Sequence, residues 1–132
     1  MAKILIIVIE DDPLMSRMYQ KIFMFDGYDV LLASNGQEGL DLARKEHPTV
    51  ILLDIMMPKM NGFETLDKLK ADPDTKKIPV IMLTNLAGQH DAEVALLKGA
   101  VKYIIKSEFD PKQVADMVKE VIAGYTRDVL PS

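Results

Sequence analysis

Short apolar runs and stretches of helical period take turns along this chain. The runs are Ile4–Ile9, Tyr28–Ala33, Val50–Leu53, Val80–Leu83 and Val101–Ile105. Each is too short for a helix, and their Val, Ile and Leu content predicts strands. The first is apolar throughout and reads as buried on both faces. Between the runs the period changes. Pro13 suits the first turn of a helix. Leu14, Met18 and Ile22 follow at four-residue spacing, with Met15, Tyr19 and Phe23 beside them, until Gly27 stops the helix. Gln37–Glu46 carries Leu40 and Ala43 on one face and ends at Pro48. Phe63, Leu66 and Leu69 mark a third helix, halted by Asp72–Pro73. Asp91–Lys98 is a fourth, closed by Gly99. Asp110 caps a fifth before Pro111, with Val114, Met117, Val118, Val121 and Ile122 inward.

Strand and helix therefore alternate five times. That alternation implies a parallel sheet with helices on both faces. Right-handed crossovers narrow it to a doubly wound α/β sandwich. The 132 residues fit one domain with a core of its own. We expect it to span residues 1–126, followed by a short tail, 127–132. No repeat, low-complexity tract or linker interrupts it.

Composition removes several function classes. With 48% hydrophobic and 27% charged residues, the chain is neither disordered in type nor membrane-embedded. No apolar run approaches the roughly 18 residues of a spanning helix. A single Lys precedes the first run and acids follow it, which is not a secretory signal, so a cytoplasmic protein is expected. There is no Cys, which excludes disulfides and thiolate chemistry. Two separated His residues are too few for an ordinary zinc site. A net charge of −4 gives no support for direct nucleic-acid binding.

Ligands of such a sheet bind beyond the carboxyl ends of its strands. Glu10, Asp11 and Asp12 follow the first run, Asp54 the third, Thr84 the fourth and Lys106 the fifth. The second run ends in Ser34 and is set aside as an edge strand. Singly, each of these residues has an ordinary reading. An Asp or Thr at a strand end usually caps a helix, and a Lys there is usually a solvated charge. Jointly, they put acids, a hydroxyl and an ammonium on one edge. Gathered carboxylates repel one another and call for a cation. All-oxygen ligands, with waters completing the shell, favour Mg²⁺. Asp54 could then approach an anionic phosphoryl group as a nucleophile, giving an aspartyl phosphate. Lys106 would supply a point charge and Thr84 a hydrogen bond to the phosphoryl oxygens. Positioning and charge neutralisation of this kind serve phosphoryl transfer.

Four stretches bring these residues together: "VIEDD" (8–12), "LLDIMMPKMNG" (52–62), "IMLTN" (81–85) and "YIIK" (103–106). In this order and spacing the chain resembles the receiver domain of two-component response regulators, close to the stand-alone chemotaxis type. The resemblance covers essentially the whole chain. It implies a flavodoxin-like (βα)₅ fold with strand order 2-1-3-4-5. It implies Asp54 as phosphoacceptor, and Thr84 and Lys106 as the residues that grip the phosphoryl group. Glu10, Asp11, Asp54 and the backbone carbonyl of Met56 would hold Mg²⁺, with Mn²⁺ as a substitute, and Asp12 would be a flanking residue or a helix cap. Thr84 and Tyr103 would form the switch. The implied donor is a sensor histidine kinase or phosphotransfer protein. The implied output is a protein target met through helix 4, strand 5 and helix 5, about Asp91 to Gly124. Neither nucleic acid nor a membrane is expected as a direct partner. The domain would catalyse its own phosphorylation and slow dephosphorylation, without being a turnover enzyme.

Two departures from that family pattern bear on the site. The family usually has Pro after the last-strand Lys, often in a cis bond, and here Ser107 follows. A cis bond before a non-proline costs roughly 2.5–4 kcal/mol, so Lys106–Ser107 is either trans in a re-routed loop or strained. Met56 and Leu86, each two residues past a site residue, are both apolar. Neither side chain can orient an attacking water by hydrogen bonding, which predicts a long-lived phosphoryl group. Rival functions fit less well. A Mg²⁺-dependent phosphatase of the haloacid dehalogenase kind wants its nucleophile on the first strand in a D-x-D pattern. A flavodoxin-like carrier wants a phosphate-cradling loop where the acids stand, and no G-x-x-x-x-G-K is present. A receiver-like interaction module without phosphorylation has the intact site against it.

Overall fold

The structure is a computed structural model and describes residues 3–129. Its elements are β1 (Leu5–Ile9), α1 (Pro13–Phe25), β2 (Asp29–Ala33), α2 (Gly36–Glu46), β3 (Val50–Leu53), α3 (Gly62–Ala71), β4 (Val80–Thr84), α4 (Gln89–Leu97), β5 (Lys102–Ile105) and α5 (Pro111–Val129). All strand pairs are parallel, in the order β2-β1-β3-β4-β5. This is the expected doubly wound sheet. α5 runs to Val129 and so takes in part of the segment expected as a tail. Residues 130–132 of that tail lie outside the described residues.

Two cores follow from the two-residue period of a strand. Ile7, Ile9, Ile51, Leu53, Val80 and Met82 face α2, α3 and α4, where they meet Leu40, Leu66, Leu69 and Ala95. Ile6, Val8, Val50, Leu52, Ile81 and Leu83 face α1 and α5, where they meet Phe23, Val114, Val118 and Ile122. Every residue of β3 and β4 is buried, as continuous apolar runs require of central strands.

Helix ends are held by local side chains. Asp12 accepts from the Leu14 amide at 2.9 Å, Asn35 from Glu38 at 2.9 Å and Asn61 from Glu64 at 3.0 Å. Asp110 and Gln113 cap each other's amides reciprocally, at 2.8 and 2.9 Å. Such caps satisfy amides that a helix leaves free at its start.

The structure narrows the expected apolar face of α1. Ser16, Tyr19 and Phe23 are its buried residues. Met18 and Ile22 are only partly buried, and Leu14 is 76% exposed. The Ser16 hydroxyl is tied back to the carbonyls of Glu10 and Asp12 at 3.3 and 3.0 Å. A polar residue thus shares the buried face with Tyr19 and Phe23. Lys70 is half-buried. Its ammonium donates to the carbonyls of Lys76 and Ile78 at 3.0 and 2.8 Å and closes the α3–β4 loop.

Candidate functional site

Register places the site. Ile9 pairs with Leu53 between β1 and β3, so Glu10 and Asp54 step off the sheet side by side. Their amides stay bonded to it, Glu10 to the Ala33 carbonyl at 3.0 Å and Asp54 to the Ile9 carbonyl at 3.1 Å. Thr84 pairs with Ile105, so Lys106 leaves β5 beside the end of β4. The ends of β1, β3 and β5 thus deliver Glu10, Asp54 and Lys106 to one rim, which Asn85 after β4 joins and Thr84 does not border, while Ser34 after the edge strand β2 bonds Glu38 instead.

The rim encloses a cavity of about 270 Å³, bordered by Glu10, Asp11, Asp12, Met15, Asp54, Met56, Asn85 and Lys106. Glu10 and Asp54 are buried and Asp11 is exposed. One carboxylate oxygen from each of the three lies within 4.8 Å of the others. Lys106 forms an ion pair with Glu10 and lies 3.3 Å from Asp54 Oδ2. Burial is the largest cause that pushes the Glu10 carboxyl up to about 7. A hydrogen bond shared with Asp54 adds to the rise, and Lys106 opposes it. Two buried carboxyls against one ammonium leave an excess of negative charge. A divalent cation would offset it, and an all-oxygen donor set suits Mg²⁺. The residues present therefore fit that ion.

The β3–α3 loop is built around Asp54. The Met56 amide donates to Asp54 Oδ1 at 3.3 Å. Gly62 donates to the Ile55 carbonyl at 2.9 Å. A Cβ on Gly62 would come within 2.4 Å of the Asp54 carbonyl oxygen, so the helix can start this close only at a glycine. The three methionines of the loop divide. Met57 belongs to the core, Met60 packs toward Gly36 of α2, and Met56 stands 62% exposed at the cavity mouth.

Thr84 is fully buried, and its hydroxyl oxygen accepts from the Leu86 amide at 3.2 Å. The half-buried Tyr103 donates its hydroxyl to the Leu86 carbonyl at 2.5 Å. The two residues expected to switch thus hold opposite ends of one residue's backbone. Leu86 itself packs against the α2–α4 side of the core and does not border the cavity. Among the described residues no peptide bond is cis. The Lys106–Ser107 bond is trans, and a 3₁₀ turn over Lys106–Glu108 carries the chain away while Lys106 stays in the site.

The sequence did not single out Ser16, which anchors the β1–α1 loop, or Asn85 on the rim. The first carried a weak signal, a polar residue among apolar neighbours on a helix. The second carried none.

The family model for the response regulator receiver domain matches residues 6–119. The chain belongs to the receiver family. This receiver is 38% identical over 121 residues to Protein PilH of Pseudomonas aeruginosa, covering 90% of this chain and 98% of that protein. It spans about half the length of several other curated relatives, described as probable transcriptional regulators. Its fold matches the crystal structure of a CheY-like receiver domain protein from Methanospirillum hungatei. The TM-score there is 0.87 and identity 29%, over 96% of this chain and 99% of the other. It also matches the receiver domain of the sensor histidine kinase PA1611 from P. aeruginosa, at TM-score 0.82 and 25% identity over 92% and 99% of the two chains. That structure has a magnesium ion coordinated in its active site cleft. No helix of the described receiver is long and apolar enough to cross a membrane.

Proposed function

We propose that this receiver is a phosphoacceptor switch in a two-component phosphorelay, and that Asp54 is the residue phosphorylated. The observation that carries this reading is the buried Asp54 carboxylate, set between two further acids and 3.3 Å from Lys106. An Asp54 oxygen forms a bond to phosphorus as the bond to the donor's leaving group breaks, and that group departs with the electron pair. Lys106 meets a phosphoryl oxygen in exchange for its present carboxylate partners. Glu10, Asp11, Asp54 and the Met56 carbonyl would hold Mg²⁺, or Mn²⁺ in its place. The cation supplies charge neutralisation at the transferring group.

Thr84 and Tyr103 are the switch in this reading. To reach a phosphoryl oxygen, Thr84 must give up the Leu86 amide, and Tyr103 is held on the same residue's carbonyl. Release of one loosens the other, which carries the change to α4, β5 and α5. The donor is a histidine kinase or phosphotransfer protein, the output partner a protein, and the compartment the cytoplasm. The domain turns over no external substrate beyond accepting and shedding its own phosphoryl group. Phosphoryl uptake from a small-molecule donor by wild type, and none by Asp54→Ala, tests this function.

A further inference from the structure

Tyr19 takes no part in the roles above. It lies on the inner face of α1, 2% exposed, with its ring stacked on Phe23 at 6.2 Å between centroids. A phenylalanine would fill that place as well, and burying an unpartnered phenol is unfavourable. Among the described residues no group hydrogen-bonds the Tyr19 hydroxyl directly. Yet no sealed side-chain oxygen or nitrogen lacks a partner, so the hydroxyl opens onto free space.

Tyr19 also lines a cavity of about 10 Å³ together with Glu10, Asp54 and Lys106. The rest of its wall is apolar, from the ends of β1, β3 and β4. A gap of this size is about what one water needs, and a water is retained where two to four polar groups surround it. Here there are a phenol, two carboxyls and an ammonium. Burial, with the negative charge of Glu10 and then Asp54, pushes the Tyr19 phenol up to about 12. The hydroxyl therefore keeps its proton and is available as a donor.

We propose that Tyr19 is a positioning residue of the phosphoacceptor site, donating through one water in this cavity to fix Glu10 and Lys106 from below. The inference rests on the phosphoacceptor reading. Lys106 draws Glu10 from the side of β5, and a donor from the side of α1 opposes that pull. The Glu10 carboxyl, paired with the ammonium on one side, is thereby kept within reach of a cation.

Tyr19→Phe removes the hydroxyl and keeps the ring and its stack. The expected result is an unchanged circular dichroism spectrum and an Mg²⁺ dissociation constant, read by calorimetry, raised about three- to tenfold. Phosphoryl uptake at saturating Mg²⁺ should fall less than that. Unchanged Mg²⁺ affinity overturns the proposal, whether or not thermal stability moves, because a packing role alone would touch only stability. If the variant fails to fold, the wild-type protein decides. The Tyr19 ring-carbon resonance next to the hydroxyl, in ¹³C-tyrosine-labelled protein, shifts on Mg²⁺ addition if the hydroxyl is joined to the site and stays in place if it is not. Wild type that neither binds Mg²⁺ nor takes a phosphoryl group would instead bring down the phosphoacceptor reading, and this inference with it.

Discussion

The Lys106 ammonium lies 3.3 Å from the Asp54 carboxylate although β4 runs between their strands. The same ammonium pairs with Glu10, so one cation is shared by two buried acids. Lys106→Met removes it. Loss of a charge-assisted contact to the phosphoryl group should slow uptake about 10- to 100-fold. Quenched samples followed by intact mass give the rate. A rate within about twofold of wild type would remove Lys106 from the chemistry.

Glu10 holds its proton to about pH 7, against an ordinary value of 4.5. The metal-free folded protein therefore binds more protons than the unfolded chain between those values. The stability from this group is fully present below about pH 4.5 and is lost as pH rises through about 7. The loss is on the order of 1–3 kcal/mol. Cation binding must displace that proton, so Mg²⁺ affinity should rise over the same window. Urea melts across the range, with and without Mg²⁺, measure both effects. Glu10→Gln should flatten the metal-free profile, and a wild-type profile already as flat as the variant's would contradict the assignment.

Gly62 is the point where α3 approaches the backbone of Asp54. A methyl group there would meet the Asp54 carbonyl at 2.4 Å and Ile55 Cα at 2.6 Å. Neither is a flexible side-chain end, so the loop must move. Gly62→Ala should destabilise the domain by about 1–3 kcal/mol, in the range of overpacked sites, and weaken phosphoryl uptake as Asp54 shifts. Thermal melts check the first and uptake rates the second. A variant as stable as wild type would mean that the loop yields freely.

Met56 stands at the cavity mouth, whereas Leu86 packs against the core. The expectation of a long-lived phosphoryl group therefore narrows to Met56. Met56→Asn puts a hydrogen-bonding group where an attacking water must pass, and should shorten the phosphoryl lifetime several-fold. Leu86→Glu alone should change it less. Decay of the mass adduct after donor removal measures both. An equal or longer lifetime in Met56→Asn would contradict the role given to this side chain.

The fold was legible because apolar runs of strand length repeat between helical periods, and a parallel sheet follows from that alternation. That Glu10, Asp11, Asp54 and Lys106 lie together was legible because strand ends share one edge. The inner face of α1 was not, because Leu14, Met18 and Ile22 form as good an apolar stripe as Tyr19 and Phe23. Of these, Tyr19 and Phe23 are the fully buried ones and Leu14 the exposed one. The burial of Lys70 was not legible either, since its acceptors are backbone carbonyls in a loop. The closeness of Gly62 to Asp54 is backbone geometry, and a glycine after Asn reads equally well as a turn. The geometry at Ser107 stood open in the sequence between a trans and a strained bond, and the 3₁₀ turn after Lys106 decides it as trans.

Intact mass of the protein after acetyl phosphate and Mg²⁺, wild type beside Asp54→Ala, tests the central claim most directly. A single phosphoryl adduct of about 80 Da that needs Mg²⁺ and is lost in Asp54→Ala is the predicted result. An adduct of equal yield in the variant, or none in wild type, would contradict it.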